Sequence, residues 1–302
     1  MGDWGVFEAR NARENTLRQD PLKWKWDKLG ISMFIIYDLI FLVFALLWLP
    51  VYLCKRKFHQ GFRMRLGILP EDLELNQPIW LHAVSVGEVM ATRKVIAELR
   101  VTYPDKKFLV STVTPTGNKI AKGIARPSDF VSYLPLDLSF IVRYVVDRIK
   151  PSLFVIMETE IWPNLISYLY RKNIPIILVN GRISNRSFGG YRIIKFLFKP
   201  LLNKINLFCV QTKVDAERFL RLGVPQEKIK ITGNMKFDIA DLKKDYTDYR
   251  LKLGLDAQER LLVAGSTHPG EEEVILSIYK ELLRDFPDLQ LLIAPRHPER
   301  AS

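Results

Sequence analysis

The sequence spends little on metal or disulfide chemistry. Cysteine occurs twice in 302 residues, at Cys54 and Cys209, far apart and in apolar surroundings. A disulfide framework is excluded, a cysteine zinc site is disfavoured, and a reducing compartment fits. Four histidines and no H-E-x-x-H pair leave little for a metal centre. Neither G-x-x-x-x-G-K-[ST] nor G-x-G-x-x-G is present, so a standard P-loop or dinucleotide fold is unsupported. D-x-D, the metal-nucleotide signature of one large class of sugar transferases, is missing too. So is the G-x-S-x-G elbow of a hydrolase. There is no internal repeat and no low-complexity tract.

Acid is the scarcer charge. Lys and Arg number 45 against 33 Asp and Glu, a net charge of +12. That balance points to an anionic partner: nucleic acid, phosphorylated lipid, membrane surface or nucleotide. With 48% hydrophobic and 26% charged residues the chain can build a sizeable core, and global disorder is excluded. The length suits two domains or one large one.

Ile31–Leu53 is an apolar run of 23 residues whose one charge is Asp38. Its basic flank carries Lys55, Arg56, Lys57, Arg63 and Arg65 without an acid. Two placements fit. One is a spanning helix with the basic flank on the cytoplasmic side. The other is an anchor lying in the cytoplasmic leaflet. Asp38 favours the second, because a carboxylate at mid-membrane costs about 2.5–3.5 kcal/mol. A buried core helix is the plain alternative. Residues 31–56 are therefore read as the anchor. Residues 1–30, polar and without periodicity, read as a disordered leader, and Met33 is a second possible start.

From Pro78 onward, apolar runs alternate with stretches of helical spacing. Strands are expected at Ile79–Val84, Phe108–Val113, Phe130–Leu134, Leu153–Met157, Ile176–Val179 and Leu207–Val210. Helices are expected between them, among them Glu88–Val101, Asn164–Lys172 and one over Tyr191–Leu202. This is the βαβ signature of a parallel, doubly wound α/β sheet, in which ligands bind at the carboxyl ends of strands. Residues 57–237 form that first domain in this reading. The charge-dense stretch 238–258 reads as a linker or charged helix. A second α/β domain starts at 259–302, with too few residues left to complete it.

Motifs cluster after the strands. Ser85-Val86-Gly87-Glu88 is a turn followed by a glutamate opening a helix. Such a carboxylate serves as a general base, or merely complements the helix dipole. Glu158-Thr159-Glu160-Ile161-Trp162-Pro163-Asn164 brings two carboxylates to another strand end, with Pro163 suited to a first helical turn. Asn180-Gly181-Arg182-Ile183-Ser184 follows the next strand. Arg171 to Lys204 holds eight basic residues and no acid, interleaved with aromatic and aliphatic side chains. That surface suits acidic lipid headgroups. Nucleic acid is the competing reading, without a recognised module behind it. Gly233-Asn234-Met235-Lys236-Phe237-Asp238 closes the first domain. Gly265-Ser266-Thr267-His268-Pro269-Gly270 and Pro295-Arg296-His297-Pro298 end the later strands. Backbone amides or arginine there can hold a phosphate, or serve only as turn and cap.

In their order, SVGE, ETEIWPN, NGRIS, GNMKFD, GSTHPGEEE and PRHPER resemble the bacterial 3-deoxy-D-manno-octulosonic acid (Kdo) transferase family, from about residue 33 to the end. The resemblance implies a two-domain, metal-independent GT-B glycosyltransferase without a cofactor. It implies inverting transfer of Kdo from CMP-Kdo to the lipid A precursor at the cytoplasmic face of the inner membrane, with no nucleic acid as partner. Position by position, it implies Glu88 as catalytic base. Glu158, Glu160, Arg182 and Lys236 would lie on the acceptor side, and Ser266, Thr267, His268, Arg296 and His297 on the donor side. The alternatives are a related lipid glycosyltransferase with another nucleotide sugar, and a truncated remnant that binds membrane without catalysis.

Overall fold

The computed structural model describes residues 35–47, 61–235, 237, 247–256 and 258–301. The leader 1–30, parts of the expected anchor, Lys236 and much of the charged stretch 238–258 lie outside the described residues. The chain divides into two units, Met1–Ala240 and Asp241–Ser302.

The first unit holds a seven-stranded sheet in the order β3-β2-β1-β4-β5-β6-β7. The strands are β1 Ile79–His82, β2 Phe108–Thr112, β3 Phe130–Tyr133, β4 Leu153–Met157, β5 Ile176–Gly181, β6 Leu207–Val210 and β7 Ile229–Ile231. Every pairing is parallel. β1 and β2 are buried at every position, as expected of short apolar strands covered on both faces. Side chains alternate between two cores. Ile79 and Leu81 join Val110, Val155 and Met157 on one face. Trp80 joins Leu109, Phe154 and Ile156 on the other. The Trp80 and Phe154 rings meet edge to face at 5.0 Å, and Trp80 Nε1 donates to Ser111 Oγ at 2.8 Å. A buried tryptophan thus keeps its polar atom satisfied.

The helices are α1 (residues 35–47), α2 Phe62–Arg65, α3 Val86–Thr102, α4 Pro115–Ile124, α5 Ser139–Ile149, α6 Pro163–Arg171, α7 Asn185–Ile193, α8 Lys195–Leu202 and α9 Lys213–Leu222. Among the described residues, no helix is long and apolar enough to cross a membrane.

The topology fixes where a ligand site belongs. From β1 the chain winds outward through β2 and β3, then returns to place β4 on the other side of β1. Such a reversal opens a crevice at the carboxyl ends of the two central strands. SVGE follows β1 and ETEIWPN follows β4.

Two local expectations need correction. The single helix over Tyr191–Leu202 is two helices, α7 and α8, hinged at Ile194. α7 begins earlier because Ser184 caps it, accepting from Ser187 N at 3.1 Å, and this outweighs the helix-weakening Gly189-Gly190 pair. The short edge strand β7 was not anticipated. Its three residues are too few for a periodic signal.

The described residues of the second unit include one βαβ: β8 Leu261–Thr267, α11 Glu271–Asp285 and β9 Gln290–Pro295, with β8 and β9 parallel. α10, Thr247–Lys252, lies in the stretch read as linker or charged helix.

Candidate functional site

Ser85 is the N-cap of α3 and makes a full capping box with Glu88. Glu88 N donates to Ser85 Oγ at 3.3 Å, and Ser85 N donates to Glu88 Oε1 at 3.2 Å. Val84 N donates to Glu88 Oε2 at 2.8 Å. Glu88 is therefore fixed by its own turn and is 6% exposed. The cap explains why glutamate stands at the third helical position. It leaves both oxygens with a further lone pair for an incoming hydroxyl. Capping and proton transfer are compatible here.

The ETEIWPN loop brings its acids to the same place. Glu160 is half-buried. Burial first, then the charges of Glu88 and Glu158, push its carboxyl up to about 7. Glu88, Glu158 and Glu160 thus form one acidic group at the crevice between β1 and β4. Glu158 sits at φ +58°, a left-handed backbone that costs a glutamate on the order of 1 kcal/mol. Asn180, at the end of β5, has φ +58° as well. The two residues stand at the ends of neighbouring strands, β4 and β5.

Arg182 is exposed beside this loop. Thr159 stitches the two segments together: its hydroxyl accepts from Arg182 N at 3.3 Å and also contacts Arg182 O. Asn180 ties in the GNMKFD segment, accepting from Met235 N at 3.1 Å. Three of the motifs are therefore joined by named hydrogen bonds. Lys236 itself lies outside the described residues.

Sequence reasoning passed over His82 and Asp137, and read Tyr191 only as an aromatic residue of the basic surface. His82, the last residue of β1, is fully buried, with Nδ1 3.0 Å from Ser111 Oγ. Burial lowers its pKa to about 4, so the ring is neutral. Among the described residues its Nε2 has no hydrogen-bond partner, and Trp162 meets the ring edge-on at 6.5 Å. Tyr191 lies close enough to Glu160 for that charge, after burial, to raise the phenol. Asp137 is 2% exposed, and burial pushes it up to about 7. One signal was available for it: an acid just past a strand, in Pro135-Leu136-Asp137.

In the second unit, register pairing sets Thr267 opposite Pro295. Ser266, Thr267 and His268 therefore adjoin Arg296 and His297 at one end of the small sheet. Ser266 has φ +65°, and Arg296 N donates to Thr267 O at 3.0 Å. Two of the three glutamates opening α11 are already engaged. Glu271 accepts from His268 N at 2.7 Å, and Glu272 pairs with Arg300 at 3.0 Å. The Arg300 hydrogen bond, with one from Thr267, holds Glu272 well below the usual carboxylate range. Ser266, His268, Arg296 and His297 remain exposed to solvent.

Residues 60–239 match the family model for 3-deoxy-D-manno-octulosonic-acid transferase (kdotransferase). The chain belongs to the Kdo transferase family. It is 40% identical over 228 residues to a 3-deoxy-D-manno-octulosonic acid transferase of Haemophilus influenzae, covering 74% of this chain and 53% of that one. It is 35% identical over 278 residues to another of Chlamydophila psittaci, covering 88% and 63%. A bifunctional glycosyltransferase/methyltransferase of Fusobacterium nucleatum is 38% identical over 253 residues, covering 82% and 38%. The chain thus spans roughly half the length of the curated relatives it matches. Among solved structures, the UDP-GlcNAc 2-epimerase of Neisseria meningitidis aligns with TM-score 0.53 at 13% identity, over 72% of this chain and 64% of that one. That likeness concerns the fold alone. The expected α/β class of GT-B type holds.

Proposed function

We propose that this member of the Kdo transferase family forms the acceptor side, and the start of the donor side, of an enzyme that transfers Kdo from CMP-Kdo to the lipid A precursor. One observation carries the reading: three carboxylates, Glu88, Glu158 and Glu160, meet at the crevice between β1 and β4, and burial with the two neighbouring charges pushes Glu160 up to about 7. The acceptor hydroxyl oxygen attacks the anomeric carbon of Kdo, and a new C–O bond forms with inversion. The bond from that carbon to the CMP phosphate breaks, and CMP leaves as a phosphate monoester carrying the electron pair. The hydroxyl proton passes to Glu88, whose two backbone hydrogen bonds hold it in place. Glu160, carrying a proton near neutral pH, limits the negative charge in the crevice and donates to the acceptor. Arg182, exposed beside the acidic loop, pairs with the acceptor phosphates, and Lys236 is assigned the same role from the GNMKFD motif alone. Ser266, His268, Arg296 and His297, all exposed, bind CMP-Kdo, Thr267 is buried beneath them, and no metal takes part.

The same reading places the chain at the cytoplasmic face of the inner membrane. In support, exposed Ile193 and Phe196 alternate with Arg192, Lys195 and Lys199 on α7 and α8. An anionic, acylated acceptor suits such a surface. The test is transfer from labelled CMP-Kdo to lipid A precursor by the full-length protein in membranes, with Glu88→Gln alongside. Competition by CMP and not UDP identifies the donor. Absence of any transfer or CMP-Kdo binding overturns the reading in favour of a membrane-binding remnant.

A further inference from the structure

His82 ends β1 just ahead of the turn that carries Glu88, and Trp162 follows Glu160 in the loop after β4. Their rings meet edge-on with centres 6.5 Å apart. His82 is fully buried, and its Nδ1 is already engaged, 3.2 Å from Ser111 O and 3.0 Å from Ser111 Oγ. A backbone carbonyl can only accept, so Nδ1 carries the ring proton. Ser111 is itself fixed: its Oγ accepts from Trp80 Nε1 at 2.8 Å, and its carbonyl accepts from Ala83 N at 3.0 Å. Burial keeps the imidazole neutral. A neutral ring protonated on Nδ1 presents a bare Nε2, which can only accept.

Trp162 offers the complement, since an indole N–H can only donate. Its Nε1 is buried, and among the described residues neither that atom nor His82 Nε2 has a hydrogen-bond partner. A buried donor and a buried acceptor are each costly alone and are satisfied together. The N–H reaches Nε2 by a small turn of either ring or through one water. Trp162 also packs on the main core and stands at the N-cap of α6 without a capping side-chain bond. An all-carbon ring would serve the packing equally well. Packing therefore does not explain the N–H, and its nearness to a bare imidazole nitrogen does.

We propose that His82 is a positioning residue for the transfer: its Nε2 takes the indole N–H of Trp162, and this pair holds the acidic loop against the turn that carries Glu88. His82 lies in register with Ile156 of β4, so the pair ties the two strand ends together at the floor of the crevice. Glu160 then meets Glu88 from a loop anchored at a polar point. Being buried, His82 acts through Trp162 and does not touch substrate. The inference rests on the reading that Glu88 takes the acceptor proton, and adds what keeps Glu160 beside it.

The test has an arm that needs no turnover. The full-length protein in detergent micelles is labelled with ¹⁵N at histidine and tryptophan. His82 should show a neutral ring protonated on Nδ1, and the Trp162 indole signal should shift in His82→Phe. A ring protonated on Nε2, or an indole signal indifferent to His82→Phe, overturns the pair. The tautomer is read on the parent protein, so a variant that fails to fold leaves that result standing. Transfer kinetics form the second arm. His82→Phe should lower kcat about tenfold or more, with KM for CMP-Kdo unchanged. His82→Gln, whose amide oxygen can take the place of Nε2, should recover part of the rate. Trp162→Phe should cost as much as His82→Phe, and the double variant no more than either. Losses that add, or a glutamine variant no better than phenylalanine, would reduce both residues to packing. A parent protein that transfers no Kdo overturns the reading beneath, while the labelled spectra still decide the pair.

Discussion

Glu160 feels the charge of Glu88, although the two lie on different strand-to-helix connections. β1 delivers one and β4 the other, and only the reversal of strand order between them makes the two acids neighbours. Glu88 is held by backbone amides on both oxygens, whereas Glu160 is half-buried beside two other carboxylates. The two acids therefore have unequal surroundings, the condition under which one accepts a proton while the other keeps its own.

Glu160 makes stability depend on pH. Its folded pKa of about 7 lies above its ordinary 4.5. The folded state binds this proton more tightly than the unfolded chain does. Its contribution is complete below pH 4.5 and is lost as pH rises through about 7. Glu160→Gln should remove that part of the slope and raise Tm at pH 8 relative to the parent. Thermal unfolding from pH 5 to pH 8 checks it, and an unchanged slope counts against the buried acidic group.

Asp137 is predicted to matter more for folding than for chemistry. Asp137→Ala leaves Asn164 N and Leu165 N without an acceptor at the buried start of α6. The expected loss is about 1–3 kcal/mol in urea unfolding, the cost of a lost cap with orphaned donors. Asp137→Asn, which keeps an acceptor oxygen, should recover part of it. Because burial raises Asp137 from 3.8 to about 7, the Asn variant should also lose stability less steeply as pH rises across that interval.

Thr159 is predicted to act through position. Thr159→Val cuts the stitch between the acidic loop and Arg182 at small cost, about 1 kcal/mol. Transfer should fall by roughly tenfold or more, since displaced groups lose rate steeply. Comparing Tm with the transfer rate of the full-length protein checks this. A rate that falls no further than folding accounts for would place Thr159 outside the site.

Gly181 closes β5 where space is scarce. A Cβ there would sit 2.4 Å from Leu178 Cδ2 and 3.2 Å from Val210 Cγ1. Gly181→Ala should destabilise by about 1–3 kcal/mol through overpacking, measurable by urea unfolding.

The parallel sheet was legible because its strands are buried on both faces and read as plain apolar runs. Six of the seven strands stood out in this way, while Ile229–Ile231 has only three residues, one of them lysine, and lies at an edge. SVGE and ETEIWPN could be placed after strands, but no local pattern shows that β4 returns beside β1. The mutual approach of Glu88 and Glu160 is a property of topology. Asp137 and His82 escaped notice for the same reason: each finds its meaning in a partner distant in sequence, as does Asn164, which was placed only as the end of a motif. Asp38 looked like an obstacle to a membrane helix, whereas the fold uses it as a cap for α5.

The central claim is that Glu88 takes the acceptor proton in a Kdo transfer. The most direct test is turnover of full-length Glu88→Gln with labelled CMP-Kdo and lipid A precursor, with thermal unfolding in parallel. Glutamine keeps one acceptor oxygen for the capping box and cannot take the proton. The account predicts a rate loss of about 10²–10⁴-fold with Tm changed by only a few degrees. Turnover near that of the parent protein would contradict it and return Glu88 to the role of a helix cap.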